Sequence, residues 1–249
     1  MIIFNRVCAL ASIAVVGLAL TACKPETIET SSSISDQSYE ADWDAIASWP
    51  GEIADDAEAE PNPKMVTTVL VLDDSGSMGS DIHAAKTAVI DTINGLPSPA
   101  KVAVIGLNSG EILPTTDILD AKARISAALE TVTANGGTPL GGSMKQAYAL
   151  LTEEASRQRG FGVYRIIVTT DGKAGDEGTL RKNTAYILRN TPIQISTIGL
   201  GIGTGHPLNL PGRTTYAAID NVSDLAAALK AVSAEQASFE PMSNFQAVN

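Results

Sequence analysis

Cysteine, histidine and aromatic residues are scarce in this chain, and each scarcity excludes a class of protein. The only cysteines among the 249 residues are Cys8 and Cys23, so no disulfide can hold a core that lies after residue 23. The only histidines are His83 and His206, and two cysteines and two histidines in these positions do not form a zinc motif. Aromatic residues make up 4% of the sequence whereas 44% of it is hydrophobic, so Val, Ile, Leu and Ala must build the core. Such a core is typical of parallel strands covered by helices.

Positive charge is also sparse. The chain has 17 Lys and Arg against 28 Asp and Glu, which gives a formal net charge of −11. We therefore expect no nucleic-acid partner, because neutralising phosphates requires clustered Lys and Arg. An acidic surface suits a basic partner or a cation, and it also favours solubility.

The first 22 residues have the pattern of a secretory leader. Arg6 precedes a run of 14 residues from Val7 to Leu20 that is apolar apart from Ser12, and small residues follow. A membrane-spanning helix needs about 20 apolar residues, which makes a spanning anchor the weaker alternative. The leader ends in Leu20-Thr21-Ala22-Cys23, which resembles the lipobox of bacterial lipoproteins. The resemblance implies that residues 1–22 are removed and that Cys23 is acylated; the alternative is an ordinary leader with an incidental cysteine.

The residue after the cysteine bears on localisation. In Gram-negative lipoproteins an Asp at that position tends to retain the protein at the inner membrane, and this chain has Lys24 there. The resemblance therefore implies a lipid-anchored protein of the cell envelope. In a Gram-negative organism it would be at the outer membrane, facing the periplasm or the surface.

Residues 23–63 are expected to form an acidic tether. No Lys or Arg lies between residues 25 and 63, whereas nine acids lie between Asp36 and Glu60. Such a segment repels itself and stays extended. Both tryptophans, Trp43 and Trp49, lie within it. They form either a docking motif for a partner or part of a short helix near 38–48 that folds back onto the domain, and we favour the second interpretation.

Strands and helices alternate from residue 64 to residue 237. Apolar and β-branched runs predict strands at 65–72, 101–107, 164–169, 193–200 and 215–219, and helical spacing predicts helices at 80–95, 119–134, 140–157, 178–190 and 222–236. This alternation is typical of an α/β fold with a doubly wound, mostly parallel central sheet that has helices on both faces. Residues 238–249 are expected to form a frayed C-terminal tail.

Three loops at the ends of these elements carry carboxylates and hydroxyls. Asp73-Asp74-Ser75-Gly76-Ser77 follows the first strand, Thr138 precedes the helix at 140–157, and Asp171 follows the strand at 164–169. In a parallel sheet, ligands bind beyond the carboxyl ends of the strands, so these loops are expected to meet at one edge. Oxygen atoms of this kind are the ligands that hard divalent cations such as Mg²⁺ prefer, and Gly76 lets the first loop bend. Taken singly, Ser77, Ser80 and Thr138 could instead be helix caps.

The segments DDSGSM, GGTPL and TTDG occur in this order and resemble the metal-ion-dependent adhesion site of von Willebrand factor A (vWA) domains. The motif of that family is D-x-S-x-S, followed by a distant Thr and a distant Asp. The resemblance covers about residues 65–236 and implies one site for Mg²⁺, or alternatively Mn²⁺ or Ca²⁺. The matching residues are Asp73, Ser75, Ser77, Thr138 and Asp171. Asp74 is a second acid at a variable position of the motif, and it either faces solvent or adds to the field at the metal.

The resemblance implies a binding module. In the family, one coordination position of the metal stays open, and an Asp or Glu carboxylate of a protein partner fills it. A cation that its ligands neutralise only in part attracts such a carboxylate. The alternative is a non-catalytic component of an envelope, secretion or pilus machine with a structural metal. We do not expect an enzyme, because no general base is evident near the loops.

Two glycine-rich segments resemble nucleotide-binding motifs but lack essential parts of them. In residues 136–143, GGTPLGGS, Gly142 occupies the place of the phosphate-binding lysine. Residues 199–205, GLGIGTG, follow a late strand and are followed by His206-Pro207 instead of an amphipathic helix. We therefore expect no nucleotide ligand. His83 is expected on the exposed side of a helix, and Asp117 and Asp120 at the beginning of the helix at 119–134.

Overall fold

The computed structural model describes residues 39–235, and within this range six strands form one sheet. The strands are β1 (Val66–Leu72), β2 (Ala100–Gly106), β3 (Gly110–Asp117), β4 (Val163–Thr170), β5 (Gln194–Leu200) and β6 (Thr215–Ile219). The helices are α1 (Trp43–Ser48), α2 (Ile82–Gly95), α3 (Ile118–Leu129), α4 (Leu140–Arg157), α5 (Glu177–Asn190) and α6 (Leu225–Glu235). Short 3₁₀ turns at Gly76–Asp81 and Val222–Asp224 precede α2 and α6.

The strand order is β3-β2-β1-β4-β5-β6. All neighbouring strands are parallel except β2 and β3, which are antiparallel. The predicted fold class, a mostly parallel sheet with helices, is thus confirmed. Because β1 lies in the middle of the sheet between β2 and β4, the loop after β1 lies between the loops that follow these two neighbours.

Helices cover both faces of the sheet, and neighbouring residues of the inner strands supply the two cores. Leu70 and Leu72 of β1 belong to the core beneath α2, α3 and α6. Val69 and Val71 belong to the core beneath α4 and α5. This double coverage explains why β1 is a continuous apolar run rather than an alternating one.

β3 is a strand that the sequence analysis missed. It lies at the edge of the sheet, and its side chains are mostly half-buried or exposed. Pro114, which has no N–H group to donate, is tolerated there because only one side of an edge strand is paired. The pairing with β2 is also irregular, with register shifts around Val104. Neither apolar periodicity nor β-branched content therefore marked this strand.

Residues 39–63, which we call the N-terminal segment, lie against the domain. The favoured interpretation of a short helix that folds back is thus confirmed, whereas the expectation of an extended tether is corrected for that range. The segment contains the short helix α1, whose N-cap Asp42 accepts a hydrogen bond from Ala45 N at 3.0 Å. The ring of Trp49 packs edge-on against Tyr164 with 4.9 Å between the ring centroids. The indole N–H of Trp49 donates to Thr152 Oγ1 at 3.3 Å.

Further contacts at the end of α4 explain how an acidic segment can pack against this domain. Glu58 N donates to the carbonyl of Arg157 at 2.8 Å, and the guanidinium of Arg157 lies 3.3 Å from Asp56 Oδ2. Arg159 Nε donates to the carbonyl of Glu58 at 2.9 Å. These basic residues offset the self-repulsion of the acids, most of which remain exposed to water.

Several sequence predictions concern residues outside the described range. They are the leader at 1–22, acylation at Cys23 and the tail at 238–249. The domain boundary at residue 64, which lies within the described range, also stays a prediction. Within residues 39–235, none of the helices combines the length and the apolar composition needed to cross a membrane.

Candidate metal site

The loop after β1 brings Asp73 into a buried position at the carboxyl edge of the sheet. The side chain is fully buried. Asp73 Oδ1 accepts the N–H of Ser75 at 2.9 Å, which closes a tight turn within the loop. Asp73 Oδ2 accepts the hydroxyl of Thr170 at 2.8 Å and the N–H of Asp171 at 3.2 Å. Asp73 therefore connects the loop after β1 to the loop after β4.

A series of oxygen atoms connects the same two loops nearer the surface. Ser75 Oγ lies 3.0 Å from Ser77 Oγ. Ser77 Oγ donates to Asp171 Oδ1 at 2.8 Å. Ser75 is buried whereas Ser77 is exposed, so the series runs from the interior towards solvent.

The loop before α4 completes the predicted set. A Cβ added to Gly172 would lie 3.9 Å from Thr138 Oγ1, which places the threonine hydroxyl beside the loop that carries Asp171. The carbonyl of Thr138 accepts the N–H of Gly175 at 2.8 Å, and Gly76 N donates to the carbonyl of Gly136 at 3.1 Å. Asp73, Ser75, Ser77, Thr138 and Asp171 thus lie on three loops that contact one another.

The negative charges of the site are close enough to influence one another. Burial raises the pKa of Asp171, and the charges of Asp73 and Asp81 raise it further, while the hydrogen bond from Ser77 acts in the opposite direction. The ionised form of Asp171 is thus less favourable in the protein than in water. A cation bound here would relieve this cost by compensating the charges.

The donor set fits a small divalent cation. All the side-chain donors are oxygens, and in an octahedral site with Mg²⁺–O bonds of about 2.0–2.1 Å adjacent ligands are about 2.9 Å apart. The separations of 3.0 Å between Ser75 Oγ and Ser77 Oγ and 2.8 Å between Ser77 Oγ and Asp171 Oδ1 are close to this value. Within residues 39–235, no group of three or more His, Cys, Asp or Glu could hold a metal, so binding here depends on the hydroxyls.

Asp74 is directed away from these oxygens, and it neither faces solvent nor joins the site. Its fully buried carboxylate accepts hydrogen bonds from Asn108 N at 2.7 Å and Ser109 N at 2.8 Å, both in the turn between β2 and β3. The Ser109 hydroxyl donates to it as well. The sequence analysis left the role of Asp74 open, and no sequence signal connected it to residues 34 positions away.

Asp176 is another residue that the sequence analysis missed. Its carboxylate accepts the N–H groups of Gly141 at 2.9 Å and Gly142 at 3.0 Å, the first turn of α4. A phosphate bound to the glycine-rich segment would need these same N–H groups, and the carboxylate of Asp176 already accepts hydrogen bonds from them. Gly141 is required for space, because an added Cβ would lie 2.4 Å from Leu180 N of α5.

The remaining residues singled out by sequence occupy ordinary positions. His83 is exposed on α2. Asp117 is the N-cap residue of α3, and Asp120 lies in the first turn of that helix. His206 is buried in the loop between β5 and β6, where its Nδ1 accepts the N–H of Leu208 at 3.2 Å.

Comparison with known proteins agrees with this arrangement. A family model described as the von Willebrand factor type A domain matches residues 68–173, a range that includes all five candidate ligands. Residues 68–173 of this chain are thus similar to von Willebrand factor type A domains. No curated protein sequence matches the chain.

Solved structures with the vWA fold resemble the chain at low sequence identity. A von Willebrand factor type A protein from Catenulispora acidiphila is 22% identical with a TM-score of 0.57; the match covers 70% of this chain and 43% of that protein. A pilus adhesin from Lactobacillus rhamnosus GG is 17% identical with a TM-score of 0.57, covering 72% of this chain and 30% of the adhesin. The manganese-loaded TRAP protein of Plasmodium vivax is 20% identical with a TM-score of 0.52, covering 67% and 72%. The chain thus spans less than half of the first two proteins, and these likenesses concern the fold alone.

Proposed function

We propose that this chain is a lipid-anchored binding module of the cell envelope, whose vWA domain holds one divalent cation, Mg²⁺ or Mn²⁺, and binds a protein partner through it. The observation that carries the proposal is the series of oxygens from Ser75 through Ser77 to Asp171, with separations of 3.0 and 2.8 Å. The manganese-loaded state of the TRAP protein and the adhesin among the structural relatives support it.

The candidate ligands have different roles. Ser75, Ser77 and Asp171 offer oxygens directly. Asp73 acts mainly through its charge, because both of its oxygens already accept hydrogen bonds from Ser75, Thr170 and Asp171. Thr138 offers its hydroxyl directly or through a water. When bound, the cation would supply a positive charge. Asp171 as the one directly offered carboxylate, with Asp73 behind it, would neutralise this charge only in part, and this favours an Asp or Glu of the partner.

This local charge matters because the chain as a whole is acidic. At a net charge of −11 it would repel an acidic partner. Electrostatic interactions are screened beyond about 8 Å at physiological salt. A cation at the sheet edge therefore makes the local potential positive within that distance, and the acids of residues 39–63 contribute little to it. Partner binding is therefore expected to require the metal, and no catalytic role is proposed for the site.

Metal binding is tested by the melting temperature. A ligand that binds only the folded state at 100 times its Kd stabilises it by about 2.7 kcal/mol. For a domain of this size that is a rise of about 5–11 °C. The double variant Asp73→Ala and Asp171→Ala is expected to lose the rise, as is Ser77→Ala. Ser80→Ala removes an exposed hydroxyl outside the ligand set and is expected to keep it. An unmodified protein that shows no shift with Mg²⁺ or Mn²⁺ would refute the proposal.

The anchoring part of the proposal is tested separately. Mass spectrometry of the membrane fraction is expected to find no residues 1–22 and a lipid-sized mass increment on the Cys23 peptide. A Cys23→Ser variant that stays equally membrane-bound would contradict lipid anchoring and leave metal binding unaffected.

Trp43 supports a second function, in which the metal is structural and the N-terminal segment recognises a component of an envelope machine. Its side chain is 75% exposed on α1. Crosslinking and capture of partners from intact cells separates the two functions. Capture that chelator abolishes supports the metal-dependent module. Capture that survives chelator and is lost in Trp43→Ala supports the second function.

A further inference from the structure

The buried carboxylate of Asp74 fixes the turn between β2 and β3. It accepts hydrogen bonds from the backbone N–H of Asn108, from the backbone N–H of Ser109 and from the side chains of both residues. The fit leaves no spare room, because a Cβ added to Gly106 would lie 2.6 Å from Asp74 Oδ2. The turn is therefore held in one place relative to the loop after β1.

The side chain of Asn108 extends this connection to the threonine loop, which we define as residues 135–138. Asn108 Nδ2 donates to Asp74 Oδ1 at 3.3 Å and to the carbonyl of Gly137 at 2.9 Å. Asn108 Oδ1 lies 2.3 Å from the position that a Cβ on Gly136 would occupy, and the φ of Gly136 is +69°. A side chain at position 136 would displace Asn108 and would strain a backbone conformation that favours glycine.

Backbone hydrogen bonds hold the threonine loop at the same points. Asn135 N donates to the carbonyl of Asp74 at 2.8 Å, and Gly76 N donates to the carbonyl of Gly136 at 3.1 Å. On its other side the loop is held by Gly175 N, which donates to the carbonyl of Thr138 at 2.8 Å. Thr138 is thus fixed between the turn after β2 and the loop after β4.

We propose that Asn108, itself held by Asp74, is a positioning residue that holds the threonine loop so that the Thr138 hydroxyl lies ready at the metal site. This inference rests on the proposed function and adds residues outside the adhesion-site motif to it. If Asn108 were absent, metal or partner binding would have to order the loop, and the lost conformational entropy would reduce the affinity.

The first test uses hydrogen exchange in the metal-free full chain and does not depend on metal binding. Asn108→Ala removes the bond to Gly137 but keeps the backbone N–H bond to Asp74, so the buried carboxylate stays satisfied. We expect the amides of Asn135 and Gly76 to exchange about tenfold faster or more, with β4 unchanged. Ser109→Ala is the matched control, because it removes a bond to Asp74 without touching the threonine loop. Equal exchange in Asn108→Ala and the unmodified chain, or equal acceleration in Ser109→Ala, would overturn the inference.

The second test is a double-mutant cycle read out by Mn²⁺ affinity in calorimetry. Thr138→Ala is expected to lower the Mn²⁺ affinity about tenfold in the unmodified chain. In the Asn108→Ala background the same change is expected to lower it by less than about threefold, because a loop that is no longer held does not position its hydroxyl at the metal. Equal effects of Thr138→Ala in the two backgrounds would overturn the inference while leaving the metal site intact.

A variant on the loop itself provides an independent check. Gly136→Ala is expected to accelerate the same amides, because its methyl group would displace the Asn108 side chain. Gly137→Ala, where an added Cβ meets nothing within 4 Å, is expected not to do so. If the unmodified chain binds no Mn²⁺, the proposed function fails, and the exchange measurements still decide whether Asn108 positions the loop.

Discussion

Changing Trp49 to Ala tests whether the N-terminal segment is part of the folded domain. The indole packs edge-on against Tyr164 and donates to the hydroxyl of Thr152, and these contacts link the segment to β4 and α4. If the contacts form in solution, truncating the side chain must lower the free energy of unfolding of the whole domain. An extended tether would make the same substitution neutral.

The magnitude follows from the surroundings of Trp49. Truncating a fully buried aromatic residue to Ala costs about 3–5 kcal/mol, and the half-buried Trp49 is expected to lose about half of this. The edge-to-face contact contributes about 1 kcal/mol, and the long hydrogen bond to Thr152 contributes about 0.5 kcal/mol. We therefore expect a loss of about 3 kcal/mol, which lowers the melting temperature by about 6–12 °C.

Trp43→Ala is the matched control, because it removes the other tryptophan of the segment from a side chain that is 75% exposed. Trp43→Ala is expected to change the free energy of unfolding by no more than about 0.5 kcal/mol. Urea unfolding followed by far-ultraviolet circular dichroism is the suitable assay, since tryptophan fluorescence changes with the substitutions themselves. Unchanged stability in Trp49→Ala, or equal losses in the two variants, would show that the segment does not pack as described.

Two further substitutions test the packing around α4 and α5. Gly141→Ala is expected to destabilise the domain by about 3 kcal/mol, because its methyl group would overlap Leu180 N. Gly142 has open space around it, so Gly142→Ala is expected to stabilise the helix by up to about 1 kcal/mol. Thermal melts measure both effects. Burial lowers the pKa of His206, so the folded protein takes up this proton at a lower pH than the unfolded chain, in which histidine titrates near pH 6.5. The free energy of unfolding is therefore expected to fall as the pH decreases below 6.5. The fall in the unmodified chain is expected to exceed that in His206→Asn by up to about 1.4 kcal/mol per pH unit. Urea midpoints at pH 7.5 and 5.5 measure the difference. The exposed His83, changed to Asn, is the control, and an equal pH dependence in His206→Asn and the unmodified chain would contradict this reasoning.

Long elements with a strong hydrophobic pattern were predictable from the sequence. The first strand was predicted at 65–72 and is Val66–Leu72, and the helix predicted at 140–157 is Leu140–Arg157. Both are long and bounded by glycine, proline or acidic loops, so their hydrophobic pattern is unambiguous. β3 was missed because its stability comes from pairing with β2 rather than from its own composition. A half-exposed edge strand with a proline at its centre has no local signal.

The N-terminal segment shows the limit of an argument from composition. Counting its acids predicted self-repulsion and an extended chain. The count could not include Arg157 and Arg159, which lie about 100 residues later and meet the segment only after folding. Nor could it show that Trp49 meets Tyr164. Both interactions are non-local, and they outweigh a repulsion that water and salt already weaken.

The candidate site divides in the same way between what adjacent residues reveal and what only the fold reveals. The five candidate ligands were found because a parallel sheet brings the ends of its strands to one edge. Asp73 and Asp74 are consecutive, yet their carboxylates serve opposite neighbours of β1: Asp73 contacts Thr170 and Asp171 after β4, while Asp74 contacts the turn after β2. This division is possible only because β1 lies between β2 and β4. The same strand end therefore supplies charge to the proposed metal site and fixes the turn that holds the threonine loop.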